Sequence, residues 1–82
     1  MRSTNLEKIL DFKKQHIQNN FAHNLKALRI EAGLGQVELA KKLSVSKGII
    51  SLWENSLREP TLTYLIAIAN FFNVTLDELV DE

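Results

Sequence analysis

The sequence predicts an all-α domain, and three observations support this prediction. Apolar residues recur at intervals of three and four along most of the chain, as on one face of a helix, and no strand-like alternation persists. Turn-forming residues are few, with three glycines and one proline in 82 residues, and they fall between the periodic segments. Hydroxyl residues suited to capping helices precede four of these segments, at Thr4, Ser46, Thr61 and Thr75.

Two helices are predicted in the N-terminal part. Thr4 and Glu7 have the spacing of a capping box, which predicts a first helix over about residues 4–18. Asn19 and Asn20 are expected to interrupt it, because asparagine caps helices better than it continues them. A second helix over about residues 21–32 then ends at Gly33, which tolerates the left-handed conformation. Its core side is formed by Phe21, Leu25 and Leu28.

Four shorter helices are predicted in the rest of the chain, over residues 36–43, 47–54, about 62–72 and just after Thr75. Asn73 can take the left-handed conformation that ends the third of them, and Thr75 with Glu78 is a capping box for the last. The residues expected to be buried are Val37, Leu39, Ala40, Leu43, Ile50, Trp53, Leu62, Leu65, Ile68, Ala69, Phe72, Leu76, Leu79 and Val80.

Length and composition exclude several classes of protein. A chain of 82 residues corresponds to one small domain, and the absence of cysteine excludes disulfides and thiolate metal sites. No apolar run approaches the ~18 residues of a membrane span, and the N-terminus lacks the apolar stretch of a signal peptide. We therefore expect a cytoplasmic protein without a membrane partner.

The net charge of zero conceals an uneven distribution. Residues 13–53 contain seven basic and two acidic residues, whereas residues 54–82 contain one basic and six acidic residues. A basic middle segment can attract an anionic partner that the acidic end would avoid. Solvated charged faces on an ordinary helical protein would give the same pattern, so both interpretations stay open at this point.

The segment QVELAKKLSVSKGIISLWEN, residues 36–55, has the pattern of a helix-turn-helix unit. Ala40 is small where the second helix must cross the first, and Ser44 and Val45 form the turn and its apolar pin. Ile50 and Trp53 supply the inner face of the second helix.

The chain from Phe21 to Val80 resembles the phage-repressor-like, Cro/XRE-type helix-turn-helix family. The resemblance rests on an ordered set of short matches: LKALR at 25–29, Gly33-Leu34, Gln36, ELA at 38–40, KLSVS at 42–46, IS at 50–51, WEN at 53–55, Pro60-Thr61-Leu62 and NVTLDEL at 73–79. It implies a five-helix repressor-like DNA-binding domain over residues 20–82. Residues 1–19 form an additional N-terminal amphipathic helix outside the resemblance.

The resemblance also implies a function and a set of site residues. Family members regulate transcription, usually as homodimers on palindromic operators, with a recognition helix (here 47–53) in the major groove of double-stranded DNA. The implied DNA-binding residues are Gln36, Ser46, Lys47, Gly48, Ile49, Ser51, Leu52 and Asn55. Further candidates for contacts with the phosphate backbone are Lys26, Lys41, Lys42 and Arg58. Arg29 and Glu54 match a pair that the family uses as an internal salt bridge.

The recognition face departs from that of many relatives, because Gly48, Ile49 and Leu52 stand where those proteins carry longer polar residues. One interpretation is that Gly48 allows close approach of the backbone while Ile49 or Leu52 packs on thymine methyl groups. The alternative is a protein-interaction module on the same fold, such as an accessory, antitoxin-like or anti-regulator protein. The family pattern also has glycine at the positions of Ser44 and Ser56, and a Ser or Thr cap at that of Gly35.

No pattern of residues indicates an enzyme, and no catalytic residue, cofactor, metal or small-molecule ligand is expected. His16 and His23 lack a third metal ligand nearby in the sequence, and Gly33-Leu34-Gly35 lacks the context of a phosphate loop. The acidic residues near the C-terminus have no predicted pocket that would adapt them to acid–base catalysis.

The predicted first helix carries an apolar stripe that needs a cover, formed by Leu6, Ile9, Leu10 and Ile17. The helix over residues 62–72 offers a row for it at Tyr64, Ala67 and Phe71. This packing could lie within one chain or be exchanged between the two chains of a dimer. The alternative is a frayed N-terminal arm.

Overall fold

The computed structural model describes residues 2–82, with side chains from residue 5 onward. Five α-helices account for this part of the chain: α1 (Arg2–Glu31), α2 (Gln36–Leu43), α3 (Lys47–Glu54), α4 (Leu62–Phe72) and α5 (Leu76–Val80). The all-α prediction is confirmed. Since α1 begins at Arg2, Thr4 lies inside the helix and not at its cap. The predicted contact of the Thr4 side chain falls outside the described residues.

The first helix is continuous through Asn19 and Asn20, so the predicted interruption is wrong. The additional N-terminal helix and the first helix of the domain are therefore one helix of 30 residues. Asparagine costs less than about 1 kcal/mol in a helix interior, which a few side-chain contacts can offset. Here Asn19 accepts a hydrogen bond from Gln15, and Asn20 donates one to the carbonyl of Val80.

The predicted bounds of α2, α3 and α4 agree with the structure. Ser46 and Thr61 cap α3 and α4 by accepting from backbone N–H groups at 3.2 and 3.3 Å. Thr75 and Glu78 form the predicted reciprocal capping box of α5, with both hydrogen bonds at 3.1 Å. Local signals therefore set the bounds of these helices.

The core lies where the C-terminal half of α1 meets the other four helices. Its large, fully buried residues are Phe21, Leu25, Leu39, Ile50, Trp53, Ile68 and Leu79. Trp53 lies edge-to-face with Phe21 at a centroid distance of 6.3 Å and tilts against Tyr64 at 5.4 Å. The helix α3 is thus anchored by its largest side chain.

Three residues expected in the core are exposed instead. Leu62 and Val37 lie in the first turns of α4 and α2, and Leu76 is the first residue of α5. The first turn of a short helix projects past its neighbours, so periodicity alone overestimates burial there.

The N-terminal half of α1 extends beyond the core as an arm, which we define as residues 5–17. Within the described chain it does not cover the row formed by Tyr64, Ala67 and Phe71. Ala67 and Phe71 remain exposed, while Tyr64 packs on Trp53. The apolar stripe of the arm is exposed as well. In the described part of the chain, no helix combines the length and apolarity needed to cross a membrane.

Candidate nucleic-acid interface

The helix-turn-helix unit is built from α2, a tight turn and α3. Ser44 takes the left-handed conformation, with φ 58° and ψ 42°, and its N–H donates to the carbonyl of Lys41. The N–H of Val45 donates to the carbonyl of Ala40, whose side chain is buried as predicted. A serine in this conformation costs about 1 kcal/mol relative to glycine, so the tight turn forms at some cost in stability.

A buried ion pair joins α1 to the recognition helix. The Arg29 guanidinium binds Glu54 through two hydrogen bonds, Nε to Oε2 at 2.7 Å and Nη2 to Oε1 at 3.0 Å. A third hydrogen bond runs from Nη1 to the carbonyl of Leu34 at 2.9 Å. The hydrogen bond with Glu54 raises the pKa of Arg29, burial opposes the rise, and the charge of Glu54 adds to it. The structural role predicted for this pair agrees with the geometry.

The same carboxylate holds Gln36, a predicted phosphate contact. Its Nε2 donates to Oε1 of Glu54 at 3.1 Å, so Arg29, Glu54 and Gln36 form one network from α1 through α3 to α2. This network fixes the start of α2 relative to α3. The sequence gives no sign of the Gln36–Glu54 bond, because it depends on how α2 and α3 pack.

The N-terminus of α2 has an unusual cap. Gly35 occupies the N-cap in an extended conformation, and its N–H donates to Oε1 of Glu38 at 2.8 Å. Glycine has no side chain with which to accept a hydrogen bond in return, so only one of the two bonds of a capping box forms. N–H groups in a first turn that no side chain caps can bind an anion such as phosphate.

The outer face of α3 is open at its N-terminal end. Lys47 and Gly48 are exposed, Ser51 and Leu52 are half-buried, and Ile50 is buried on the inner side. A Cβ atom built on Gly48 would lie 3.7 Å from Oγ of Ser46, an ordinary van der Waals distance. The fold therefore has room for a side chain at this position.

Two further predicted contacts are engaged inside the domain. Ile49 is half-buried and packs against the core, so part of its side chain serves the fold. Asn55 follows α3, and its Nδ2 donates to the carbonyl of Ser51 at 2.7 Å. Ser46 remains beside Lys47, with its hydroxyl accepting from the N–H of Ile49.

The predicted phosphate-contacting residues Lys26, Lys41, Lys42 and Arg58 are all exposed. Lys41 and Lys42 lie in the last turn of α2, shortly before the turn that leads to Lys47. Lys26 lies on α1 near the side that contacts α3, since Ala22 and Arg29 are its neighbours one turn away. The acidic residues of α5 are exposed and belong to the other side of α1, where Asn20 and Asn24 lie.

Sequence reasoning missed the asparagines that hold α5 on α1. Nδ2 of Asn24 donates to the carbonyls of Glu78, Leu79 and Asp81 at 3.2, 3.0 and 2.7 Å. Asn20 lies one turn earlier on the same face and binds the carbonyl of Val80. The spacing of these two residues at i and i+4 was the available signal.

The histidines take no part in this interface. Nε2 of His16 lies 3.3 Å from a carboxylate oxygen of Glu82, and its ring stacks on Phe12. His23 is exposed on α1.

Comparison with known proteins agrees with this geometry. A family model described as "Helix-turn-helix" matches residues 25–79. The chain is 42% identical over 60 residues to the HTH-type transcriptional activator BcrR of Enterococcus faecalis, covering 73% of this chain and 29% of that protein. It is 36% identical over 56 residues to the HTH-type transcriptional regulator ImmR of Bacillus subtilis, covering 68% and 44%.

A phage protein is also similar. The transcriptional repressor RstR of the cryptic phage CTXphi of Vibrio cholerae is 31% identical over 62 residues, covering 76% of this chain and 56% of that protein. The matched part of the chain thus corresponds to between 29% and 56% of the length of these three relatives. Their regulator names agree with the prediction that this domain is not an enzyme.

A solved structure has the same fold. The solution structure of the SOS-response transcriptional repressor LexA from Eubacterium rectale superposes with a TM-score of 0.75 at 25% identity. The match covers 79% of this chain and 69% of that chain. The residues matched by the family model, 25–79, include the turn, α3 and most of the helices that support them. The chain belongs to the Cro/XRE-type helix-turn-helix family of transcriptional regulators.

Proposed function

We propose that this domain binds double-stranded DNA sequence-specifically and regulates transcription as a homodimer on a palindromic operator. The observation that carries the proposal is the exposed N-terminal face of α3, at Lys47 and Gly48, on a helix whose other side is anchored by Trp53. The major groove is wide enough to admit such a helix. A cytoplasmic location, as expected from the sequence, is part of this proposal.

Gly48 supports the idea of a close partner at this face. Gly48 is the second residue of α3, where glycine forms a helix less readily than alanine by at most about 1 kcal/mol. The domain has room for the alanine methyl group, so packing within the domain does not require glycine here. Close approach of a base or a phosphate to the α3 backbone would require it.

The surrounding groups fit the chemistry of DNA. Lys47 can contact guanine O6 and N7 or a phosphate, Ser51 can bond to any base edge, and Leu52 can contact a thymine methyl group. In this proposal the N-terminus of α2, at Gln36, binds a backbone phosphate at the other end of the unit. In this proposal Lys26, Lys41 and Lys42 contact the phosphate backbone, and Asn55 and Arg58 flank it.

The proposed direction of regulation is repression, because a dimer bound over a promoter blocks access without contacting another protein. The names of the relatives include both an activator and a repressor. A reporter gene under the selected operator would show lower expression when the protein is present, and higher expression would reverse this part of the proposal.

Selection of bound duplexes from a random pool tests the main proposal, and titration of the selected duplex then compares variants. Lys47→Ala should weaken binding by about 1–3 kcal/mol. Lys8→Ala is the matched control, because it removes the same charge from an exposed lysine on the arm, and it should bind nearly as the unaltered protein does.

Gly48→Ala separates recognition from folding. It should raise the free energy of unfolding by up to about 1 kcal/mol while weakening operator binding, because the added methyl group occupies the approach surface. The selection could fail to yield a preferred sequence, or both Lys47→Ala and Gly48→Ala could bind as the unaltered protein does. Either result would favour the protein-interaction module as the role of this face.

A further inference from the structure

The arm of α1 has an apolar side that no part of the described chain covers. Leu6 and Leu10 are each 57% exposed and Ile17 is 48% exposed. Helical spacing places Leu10, Ile17, Phe21 and Leu28 along one side of α1, so the arm continues the core-facing side of the helix past the end of the core. This face is therefore aligned with the core and is not scattered over the surface.

A groove of about 430 Å³ opens beside this face. Leu10, Ile17 and Phe21 form its wall on α1, and Pro60, Leu65 and Val80 line it opposite them. Lys13, Lys14 and Glu59 lie at its polar edge, where the ammonium of Lys14 is 3.6 Å from the carboxylate of Glu59. The groove is mostly apolar, and its volume is sufficient for leucine-sized side chains from another helix.

The charges beside the stripe indicate which helix would fit. Glu7, Asp11 and Lys14 follow one another along one side of the apolar stripe, at spacings of four and three. An identical arm running antiparallel would place its Lys14 opposite Glu7 and Asp11. A parallel arm would place this row of charges against the opposite side of the partner's stripe, so Lys14 would meet neither Glu7 nor Asp11.

We propose that a second copy of this chain covers this face. The two arms pack antiparallel about a two-fold axis between Leu10 and Lys14, and the Leu6 and Leu10 side chains of each arm enter the groove of the other. Each chain supplies the same surface, in which the apolar side of the arm fills the partner's groove and the groove receives the partner's arm. A two-fold interface requires such a self-complementary surface. The inference rests on the proposed homodimer and adds the surface through which it forms.

This arrangement differs from the row expected on α4. Tyr64 is already packed on Trp53, and Ala67 and Phe71 do not line the groove, whereas Pro60 and Leu65 do. The partner of the arm is therefore the groove at Pro60 and Leu65 in the second copy.

The mass in solution tests the interface, with a matched pair of variants on the arm. By sedimentation equilibrium the unaltered chain should have twice the 9.4 kDa mass of one copy. Leu10→Lys should raise the dimer dissociation constant by at least about tenfold, because it removes an apolar side chain from each half of the interface. Phe12→Lys is the control, because Phe12 lies on the opposite side of the helix and is 72% exposed, so the dimer should persist.

Charge exchange tests the direction of the arms. The double variant Glu7→Lys, Asp11→Lys and the single variant Lys14→Glu should each dimerise more weakly, and mixing them should restore a dimer of one chain of each. In Lys14→Glu the new carboxylate also lies near Glu59 of its own chain, and that repulsion alone could weaken the dimer. Mixing the variants does not relieve this repulsion, so it cannot account for a rescue. A monomeric unaltered chain, a dimer insensitive to Leu10→Lys, or the absence of rescue on mixing would overturn the proposal.

DNA binding is measured separately, so that the two proposals can fail independently. Leu10→Lys should leave affinity for a single half-site unchanged and reduce affinity for the full palindrome. Lys47→Ala should weaken binding to the half-site and leave the mass unchanged. Loss of half-site affinity in Leu10→Lys would contradict the inference, because the arm would then belong to the DNA-binding surface.

Discussion

Arg29 and Glu54 are charged residues in a domain whose other charged side chains are largely exposed. Their side chains are 11% and 2% exposed, so both charges have lost most of their hydration. Taking a charged pair out of water costs several kcal/mol per ion, which its mutual hydrogen bonds must offset. The pair therefore adds less to the free energy of unfolding than its geometry suggests. Removal of one partner alone, however, lowers the free energy of unfolding strongly.

Arg29→Ala should lower the free energy of unfolding by about 3–5 kcal/mol, because it leaves the Glu54 carboxylate buried without its partner. Urea unfolding followed by circular dichroism measures this change. Arg58→Ala is the control for loss of an exposed arginine, and it should change stability by less than about 0.5 kcal/mol. The double variant Arg29→Met, Glu54→Leu should recover most of the loss, and equal losses in Arg29→Ala and Arg58→Ala would contradict the structural role.

The contribution of Arg29 does not depend on pH in the ordinary range. Its pKa is raised above the usual value by the hydrogen bond with Glu54. A group with a raised folded-state pKa stabilises the fold at every pH below its unfolded pKa and loses that contribution only as the pH rises through the folded value. For an arginine both values lie well above neutrality, so the guanidinium stays charged wherever the domain is studied.

At the scale of single residues, the resemblance predicted the internal ion pair but did not predict how far Ile49 is buried. It paired Arg29 with Glu54, and the structure shows that pair. It also placed Ile49 among the base contacts, and that contact stays a prediction, since Ile49 is half-buried and packs partly against the core. Spacing along α3 cannot tell how far Ile49 is covered, because this depends on the segments that pack beside it.

Among the elements, α5 depends most on its neighbour, because it has only five residues. Helices of this length do not persist alone in water. Its N-terminus has its own capping box, whereas its C-terminal carbonyls accept from Asn20 and Asn24 of α1. Removal of these donors should loosen the C-terminal end of the domain.

Asn24→Asp should destabilise the domain more than Asn24→Ala does. Alanine removes hydrogen bonds worth about 0.5–1.5 kcal/mol each, whereas aspartate also points a negative charge at carbonyl oxygens that it cannot bond. Thermal melting of the two variants measures the order, with Asn19→Ala as the control on the exposed side of α1. If Asn24→Asp and Asn24→Ala melt together, the amide donor is not what holds α5.

The bounds of α2, α3 and α4 could be predicted closely because capping and left-handed residues next to each boundary determine them. Ser46 and Thr61 cap α3 and α4, and the left-handed residues Ser44 and Asn73 end α2 and α4. The continuity of α1 could not be predicted in that way. The asparagines that suggested a break bond to Gln15 and to the distant residue Val80, and only the assembled fold brings Val80 to α1.

On the scale of the whole molecule, charge is separated across the domain. The basic residues are concentrated on α1, α2 and the start of α3, and acidic residues predominate after Trp53. A surface of this kind steers DNA toward the basic side of the domain. Binding then releases counterions from the DNA.

Operator affinity should therefore fall steeply with salt. About 4–6 phosphate contacts per dimer predict a slope of roughly −4 to −5 in a plot of log affinity against log salt concentration. Lys42→Ala, which removes one proposed phosphate contact from each chain, should make the slope shallower by about 2 per dimer. Fluorescence anisotropy at several potassium chloride concentrations provides the measurement. An affinity that hardly responds to salt would contradict an interface built on phosphate contacts.

The continuous α1 helix fixes both the distance and the rotation angle between the arm and the helix that carries Lys47. Its 30 residues span nearly the whole 48 Å length of the molecule, and its core half is bonded through Arg29 to the helix that carries Lys47. An inserted residue between Ile17 and Phe21 would rotate the arm by about 100° relative to the recognition helix, whereas seven inserted residues would restore its phase about 10 Å farther out. In a dimer joined through the arms, the helical phase of α1 would thus set how the two α3 helices are rotated relative to each other. This rotation would in turn determine the arrangement of operator half-sites that the dimer can bind.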